Sequence, residues 1–161
     1  MQVARRFDPN QVRFVMIGPI DIKPEVLEAH RGHVELPGQI PRSGIHEWFA
    51  KFDVFFFPTT CEGSAYALME AMASGLPVVT TPNSGTVARH GIEGLIAPCD
   101  AVDVFTEHLE RLRSDRALRL ELGSAARRRY EEFGLNAYSR SLANLFQRLH
   151  ADANNVRQHV H

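Results

Sequence analysis

Two glutamates eight residues apart, Glu62 and Glu70, are the side chains of this sequence best suited to chemistry. They stand in the stretch F-F-F-P-T-T-C-E-G-S-A-Y-A-L-M-E-A-M-A-S-G-L-P-V-V, residues 55–79. A carboxylate accepts hydrogen bonds from sugar hydroxyls. Eight residues of helix span about 12 Å, so two carboxylates at this spacing can grip a sugar on one side of a diphosphate and a ribose on the other. Between them, the N–H groups of Ala65, Tyr66 and Ala67 open a predicted helix, and a helix N-terminus favours an anion such as a phosphate. Ser64 suits the cap of that helix, a role that needs no ligand. Plainer readings stand beside these: Glu70 as a solvated helix residue and Glu62 as a loop charge. Cys61 has no His or Asn arrangement to support a nucleophile and reads as a small packing residue. Arg127, Arg128 and Arg129 read as a solvated helix face.

These residues need elements to position them, and the sequence alternates strand and helix. Arg13–Ile17 is an apolar run ended by Gly18 and Pro19, a strand with a breaker behind it. Pro24–Ala29 opens with a proline suited to a first helical turn. His33–Leu36 is a weaker strand closed by Pro37 and Gly38, and Ile45–Lys51 is helical. Val54–Phe57 is apolar throughout, as suits a parallel strand covered on both faces. The helix from Ser64 to Ser74 ends on Gly75 and Pro77. Leu76–Thr80 and Gly94–Ala97 complete the strands. Three helices follow, at Asp103–Ser114, Asp115–Glu132 and Asn136–Leu149, and the last carries Tyr138, Leu142, Leu145, Phe146 and Leu149 at helical spacing. Residues 151–161 read as a frayed polar tail. The pattern predicts an α/β fold, a doubly wound, parallel, Rossmann-like sheet flanked by helices over residues 1–150, with a C-terminal helical segment. Ligands of such sheets bind beyond the carboxyl ends of the strands, here Gly18, Pro37–Gly38, residues 58–64 and residues 81–86.

Composition narrows the function. Among 161 residues, eighteen Lys and Arg face nineteen Asp and Glu, a formal charge of -1, which argues against a general nucleic-acid binder. With 44% hydrophobic and 23% charged residues the composition is that of a soluble globular protein. No apolar run is long enough to span a bilayer, although peripheral membrane contact stays compatible with the sequence. Residues 1–15 lack the pattern of a secretory signal. Two cysteines, Cys61 and Cys99, form neither a disulfide framework nor a metal site by spacing, so the expected setting is the reducing cytoplasm.

The 55–79 block resembles the E-x(7)-E signature of the retaining glycosyltransferases of family 4, which have the GT-B fold of two Rossmann-like domains. V-R-F-V-M-I-G, H-V-E-L-P-G-Q-I, that block, the N-S-G-T loop, G-I-E-G-L-I-A-P and the closing helices follow the family's order from about Val12 to Phe146. The resemblance implies that Glu70 binds the ribose hydroxyls of the nucleotide and that Glu62 contacts the transferred sugar near the reacting carbon. It implies that Ala65, Tyr66 and Ala67 cradle the diphosphate, beside Ser64 and Gly18, and that Gly38, Gln39 and Ile40 receive the base. The implied substrate is a nucleotide-diphosphate sugar, with no cofactor and usually no metal ion. Two other functions fit the same architecture: a sugar-nucleotide epimerase, for which His90 is the loop histidine nearest the motif, and a nucleotide-binding or assembly module without catalysis.

The sequence departs from the family in two places. The loop after Val79 commonly holds two glycines and a following glutamate; here stand Ser84, Gly85 and Ala88, and Ser84 is expected to crowd the sugar. The family's basic pair, in a G-R-L…K-G segment upstream of the strand at Val12, has no counterpart in residues 1–11. The resemblance therefore implies the C-terminal, donor-binding domain of a GT-B enzyme, lacking its first strand and the N-terminal domain that binds acceptor. The family's strand order, 3-2-1-4-5-6, then leaves a central place vacant. The expectation is either direct pairing of the strands at Arg13–Ile17 and Val54–Phe57 or a homodimer that covers the gap.

Overall fold

A computed structural model describes the backbone of residues 1–158 and the side chains of residues 1–150. Among the described residues five short parallel strands and six α-helices alternate as far as the fourth strand, after which the fifth strand and three successive helices follow. They are β1 (Phe14–Ile17), α1 (Pro24–Ala29), β2 (Val34–Gly38), α2 (Ile45–Phe49), β3 (Phe55–Phe57), α3 (Tyr66–Ala73), β4 (Val78–Thr80), β5 (Gly94–Ile96), α4 (Val102–Ser114), α5 (Arg116–Phe133) and α6 (Leu135–Gln158). β2 runs through Pro37 and Gly38, which were expected to close it; Pro37 is tolerated because β2 is an edge strand. α2 ends two residues short of Lys51. α6 continues nine residues past Leu149, so the expected polar tail is helical as far as Gln158; its remainder, residues 159–161, lies outside the described residues.

The strands form two parallel sheets, β1-β2 and β3-β4-β5. Among the described residues β1 and β3 do not pair, so direct pairing, one of the two expected solutions, is not adopted. Both strands are nevertheless tied to one corner between α4 and α5: Arg113 donates to the Gln11 carbonyl oxygen Oε1 at 3.4 Å, and Arg119 stands 4.0 Å from Asp53. The space between them is partly filled from an unexpected source. A 3₁₀ turn at Ala4–Arg6 buries Val3 and Phe7, and the Phe7 ring meets Phe14 at 5.6 Å.

The core has two compartments, one on each face of the three-stranded sheet, because successive side chains of a strand point to opposite faces. Phe56 packs with Phe105 of α4, their centroids 5.3 Å apart, in a cluster with Val79, Leu95, Leu112 and Leu122. Phe55 and Phe57 turn the other way and stack at 5.9 Å beside Phe49, Leu68, Met72 and Val78. Leu68 and Met72 are fully buried, which contributes about 1.5–3 kcal/mol for each side chain. Covered faces on both sides explain the unbroken apolar runs.

α3 ends where the sequence places its stop. Gly75 adopts φ +78, its N–H donates to the Met72 carbonyl at 3.0 Å, and the Leu76 N–H donates to the Ala71 carbonyl at 3.1 Å. That double closure satisfies two orphan carbonyls of the last turn. The Gly75 carbonyl in turn receives Gly123 of α5 so closely that a Cβ on Gly123 would overlap it. α3 is thereby fixed against both the sheet and α5.

Candidate functional site

The carboxyl ends of β1, β2, β3 and β4 carry the residues singled out above. Gly18 follows β1 and Gly38 ends β2, and the Gly18 N–H donates to the Gly38 carbonyl at 3.0 Å. Both have positive φ, +136 and +81, a backbone that only glycine adopts without strain. The chain thus turns away sharply at the end of each strand, and the turn after β2 carries exposed Gln39 and half-buried Ile40 outward. A short 3₁₀ turn at Arg42–Gly44 follows.

The loop after β3 brings Glu62, Gly63 and Ser64 to the surface. It is held by the loop after β4: the Glu62 N–H donates to the Asn83 carbonyl at 2.8 Å. Gly85, at φ +63, lies so near that a Cβ there would come within 2.5 Å of the Gly63 carbonyl oxygen. Side-chain hydroxyls lock the same ends from beneath. Thr80 donates to the Phe57 carbonyl at 2.8 Å and Thr81 to the Thr59 carbonyl at 2.7 Å. Ser84 does not crowd the site as expected: it is fully buried, its hydroxyl donating to the Thr81 carbonyl at 2.8 Å.

Ser64 is not the cap of α3. Ala65 occupies that position, with φ -76 and ψ 101, and no side chain caps the helix. The Ala65 carbonyl accepts from Leu68 and Met69, while the N–H groups of Tyr66 and Ala67 stand in the first turn, where a helix has no partner for them. Uncapped donors of this kind can take an anion. Glu70 lies one turn further on, half-buried, and its Oε1 receives the Arg42 guanidinium at 3.4 Å. The structure therefore gathers Glu62, the N-terminal turn of α3, Glu70 and the segment after Gly38 along one end of the strands.

Other candidates have different work. Cys61 is exposed instead of packed. His90 does not stand free as an acid–base histidine: its Nδ1 accepts the Ile96 N–H at 2.9 Å, and its ring lies 5.6 Å from that of His108. Burial, foremost, holds His108 below the usual imidazole pKa. Arg129 is not part of a purely solvated face; it donates to the Val87 carbonyl at 3.1 Å and covers the Phe133 ring at 4.0 Å. Glu93, with a side chain 1% exposed, accepts the Arg89 backbone N–H at 2.7 Å and the Arg89 guanidinium at 2.5 Å. Burial raises the Glu93 pKa, but the hydrogen bonds and charge of Arg89, with the charge of Arg129, outweigh it and hold the carboxyl below its ordinary value. Sequence reasoning missed this pair because Arg and Glu at i, i+4 read as ordinary surface partners. It also missed Arg42, although Arg42 is the one charged residue between Gly38 and Gly44.

Parallel strands under helices on both faces, with glycine turns and an uncapped helix at their carboxyl ends, define a Rossmann-like α/β domain. The family model for glycosyl transferases group 1 matches residues 1–115, and the chain belongs to that family. It is 34% identical over 125 residues to the amylovoran biosynthesis glycosyltransferase AmsK of Erwinia amylovora, covering 72% of this chain and 31% of that protein. It is 32% identical over 97 residues to a D-inositol 3-phosphate glycosyltransferase of Kribbella flavida, covering 59% and 23% respectively. The chain thus spans about a third or less of these relatives. Among solved structures it superposes on HepE of Anabaena, crystallised in complex with UDP-glucose, with a TM-score of 0.74 at 19% identity, over 91% of this chain and 43% of that one. The fold is that of one domain of a GT-B glycosyltransferase. No helix among the described residues is long and apolar enough to cross a membrane.

Proposed function

We propose that this chain is the donor-binding domain of a glycosyltransferase that moves a sugar from a nucleotide-diphosphate sugar to an acceptor with retention of configuration. The observation that carries the reading is the placement of Glu62, the uncapped first turn of α3 and Glu70 in sequence along the carboxyl ends of the strands. The base rests on Gly38, Gln39 and Ile40, with the Gly18 N–H bonded to the Gly38 carbonyl beside them. Glu70 accepts the ribose hydroxyls. The N–H groups of Ala65, Tyr66 and Ala67, beside Ser64, take the diphosphate and stabilise the charge that develops on it as the sugar departs. Glu62 accepts hydroxyls of the transferred sugar beside the reacting carbon. No metal or other cofactor has a part in this scheme. The reaction belongs in the cytoplasm, a compartment that keeps the exposed Cys61 and Cys99 thiols reduced.

The acceptor is held by a companion domain outside these 161 residues, as the share of the relatives' length suggests. That domain covers the apolar stripe of α6, where Tyr138, Leu145, Phe146 and Leu149 are exposed; in its absence a second copy of the chain does so. Residues 1–11 hold no counterpart of the family's basic pair, and an isolated domain cannot bring an acceptor into attacking geometry. The 161 residues alone therefore bind nucleotide with little or no sugar transfer. Calorimetric titration with UDP, ADP and GDP tests the reading. One of them should bind, and Glu70→Ala should weaken it by about 1–3 kcal/mol, the scale of a hydrogen bond to a charged group. Equal affinities would remove Glu70 from the site; no binding by any of the three would remove the function.

A further inference from the structure

We propose that Arg42 is a positioning residue for ribose recognition, an inference that rests on the reading of Glu70 as the ribose acceptor. The guanidinium of Arg42 reaches from the turn after β2 to Glu70 on α3, 28 residues later, and donates to Oε1 at 3.4 Å. Among the described residues no hydrogen bond reaches the other carboxylate oxygen. A carboxylate whose torsions are free presents its lone pairs in many directions, and its terminal torsion is broad. With Oε1 tied to Arg42, the carboxylate plane is set and Oε2 is left to accept a hydroxyl.

The two partners also belong to different elements of the proposed site. Arg42 extends the segment Gly38–Ile40 that receives the base, while Glu70 belongs to the helix whose first turn receives the phosphates. The ribose lies between base and phosphates in any nucleotide, so the ion pair bridges the two elements where the ribose must pass. The charge pattern agrees with a dedicated role. From Gly38 to Gly44 the segment carries no acid and one cation, Arg42, so the guanidinium has no partner on its own turn and points to α3.

A general attraction between Arg42 and phosphate would strengthen every nucleoside diphosphate alike. Orientation of Glu70 instead affects only ligands that possess the hydroxyl, and this separates the two roles. The side chain of Arg42 is 82% exposed, so replacing it leaves the core intact. An exposed pair is worth little to stability, and the expected effect lies in selectivity.

The test is calorimetric titration of the 161-residue chain with whichever of UDP, ADP and GDP binds tightest, and with its 2′-deoxy analogue. The wild type should favour the ribonucleotide about tenfold, the scale of one hydrogen bond to a charged group. Arg42→Ala should cut that preference to about threefold or less with the thermal midpoint unchanged, and Arg42→Lys should restore part of it. If Arg42→Ala weakens both nucleotides by one common factor, or alters neither, Arg42 does not position Glu70. If Glu70→Ala abolishes the preference while Arg42→Ala keeps it, the inference fails and the ribose assignment of Glu70 stands. If Glu70→Ala leaves the preference intact, both fall together.

Discussion

Arg89 closes on Glu93 at 2.5 Å with both its guanidinium and its backbone N–H directed to one buried carboxylate. The pair draws together the two ends of the turn that enters β5, and Arg129 of α5 fastens the neighbouring Val87 carbonyl. The loop that presents Asn83 to the Glu62 N–H therefore hangs from a rigid far end. A loop that contributes to a ligand site is most useful when a stable scaffold fixes its ends.

The first prediction concerns that pair in acid. The folded-state pKa of Glu93 is lowered from 4.5, so its contribution to stability is complete above the unfolded value and is lost as pH falls through the folded one. Glu93→Gln should destabilise the chain by about 1–2 kcal/mol near pH 7, a figure kept small because Arg89 remains half in water. The difference in denaturant midpoint between wild type and variant should shrink as pH drops below about 4.5. A difference that stays constant, or grows, in acid would contradict the assignment of Glu93 as an ionised partner.

The second prediction concerns Gly85. An added methyl group would meet the Gly63 carbonyl oxygen, and the backbone there has φ +63. A left-handed conformation costs a residue with a Cβ roughly 1–2 kcal/mol, and the contact displaces the loop that carries Glu62. Gly85→Ala should weaken nucleotide-sugar binding more than it weakens binding of the free nucleoside diphosphate, because Glu62 stands on the sugar side. Equal losses for the two ligands, measured by calorimetry, would show that the Gly63–Gly85 contact does not govern the sugar end of the site.

Much of this arrangement is legible from residue types. α1 opens at Pro24, where the proline puts it, and runs to Ala29, and Gly75 with Pro77 stops α3 as a left-handed cap must. The two-faced burial of Phe55, Phe56 and Phe57 follows from an all-apolar strand. Long-range pairing is what local pattern does not carry. Arg42 meets Glu70 across 28 residues, and nothing in either neighbourhood announces the other. Val3 and Phe7 precede the first strand of the alternating pattern and belong to none of its elements, yet tertiary contact buries both beside the sheet. Ser64 has the chemistry of a cap, but the backbone starts the helix one residue too late to use it. The vacancy between β1 and β3 was legible only through the order of strands in the wider fold.

That vacancy gives the last prediction. The Phe55 N–H donates to the Pro77 carbonyl at 3.0 Å, toward β4, and N–H groups of a strand alternate between its two sides. The Phe56 N–H therefore faces the unpaired side of β3, where β1 does not pair with it. An edge of this kind recruits another strand or helix when one is available. In dilute solution the Phe56 amide should exchange with deuterium at least about tenfold faster than the Phe55 amide, as expected for a backbone group outside the ladder. As concentration rises and a second copy covers the gap, Phe56 should gain protection in step with the appearance of dimer in light scattering, while Phe55 stays unchanged. A Phe56 amide already as slow as Phe55 in a chain that remains monomeric would mean that the edge is sealed within one molecule, and the dimer would have no gap to cover.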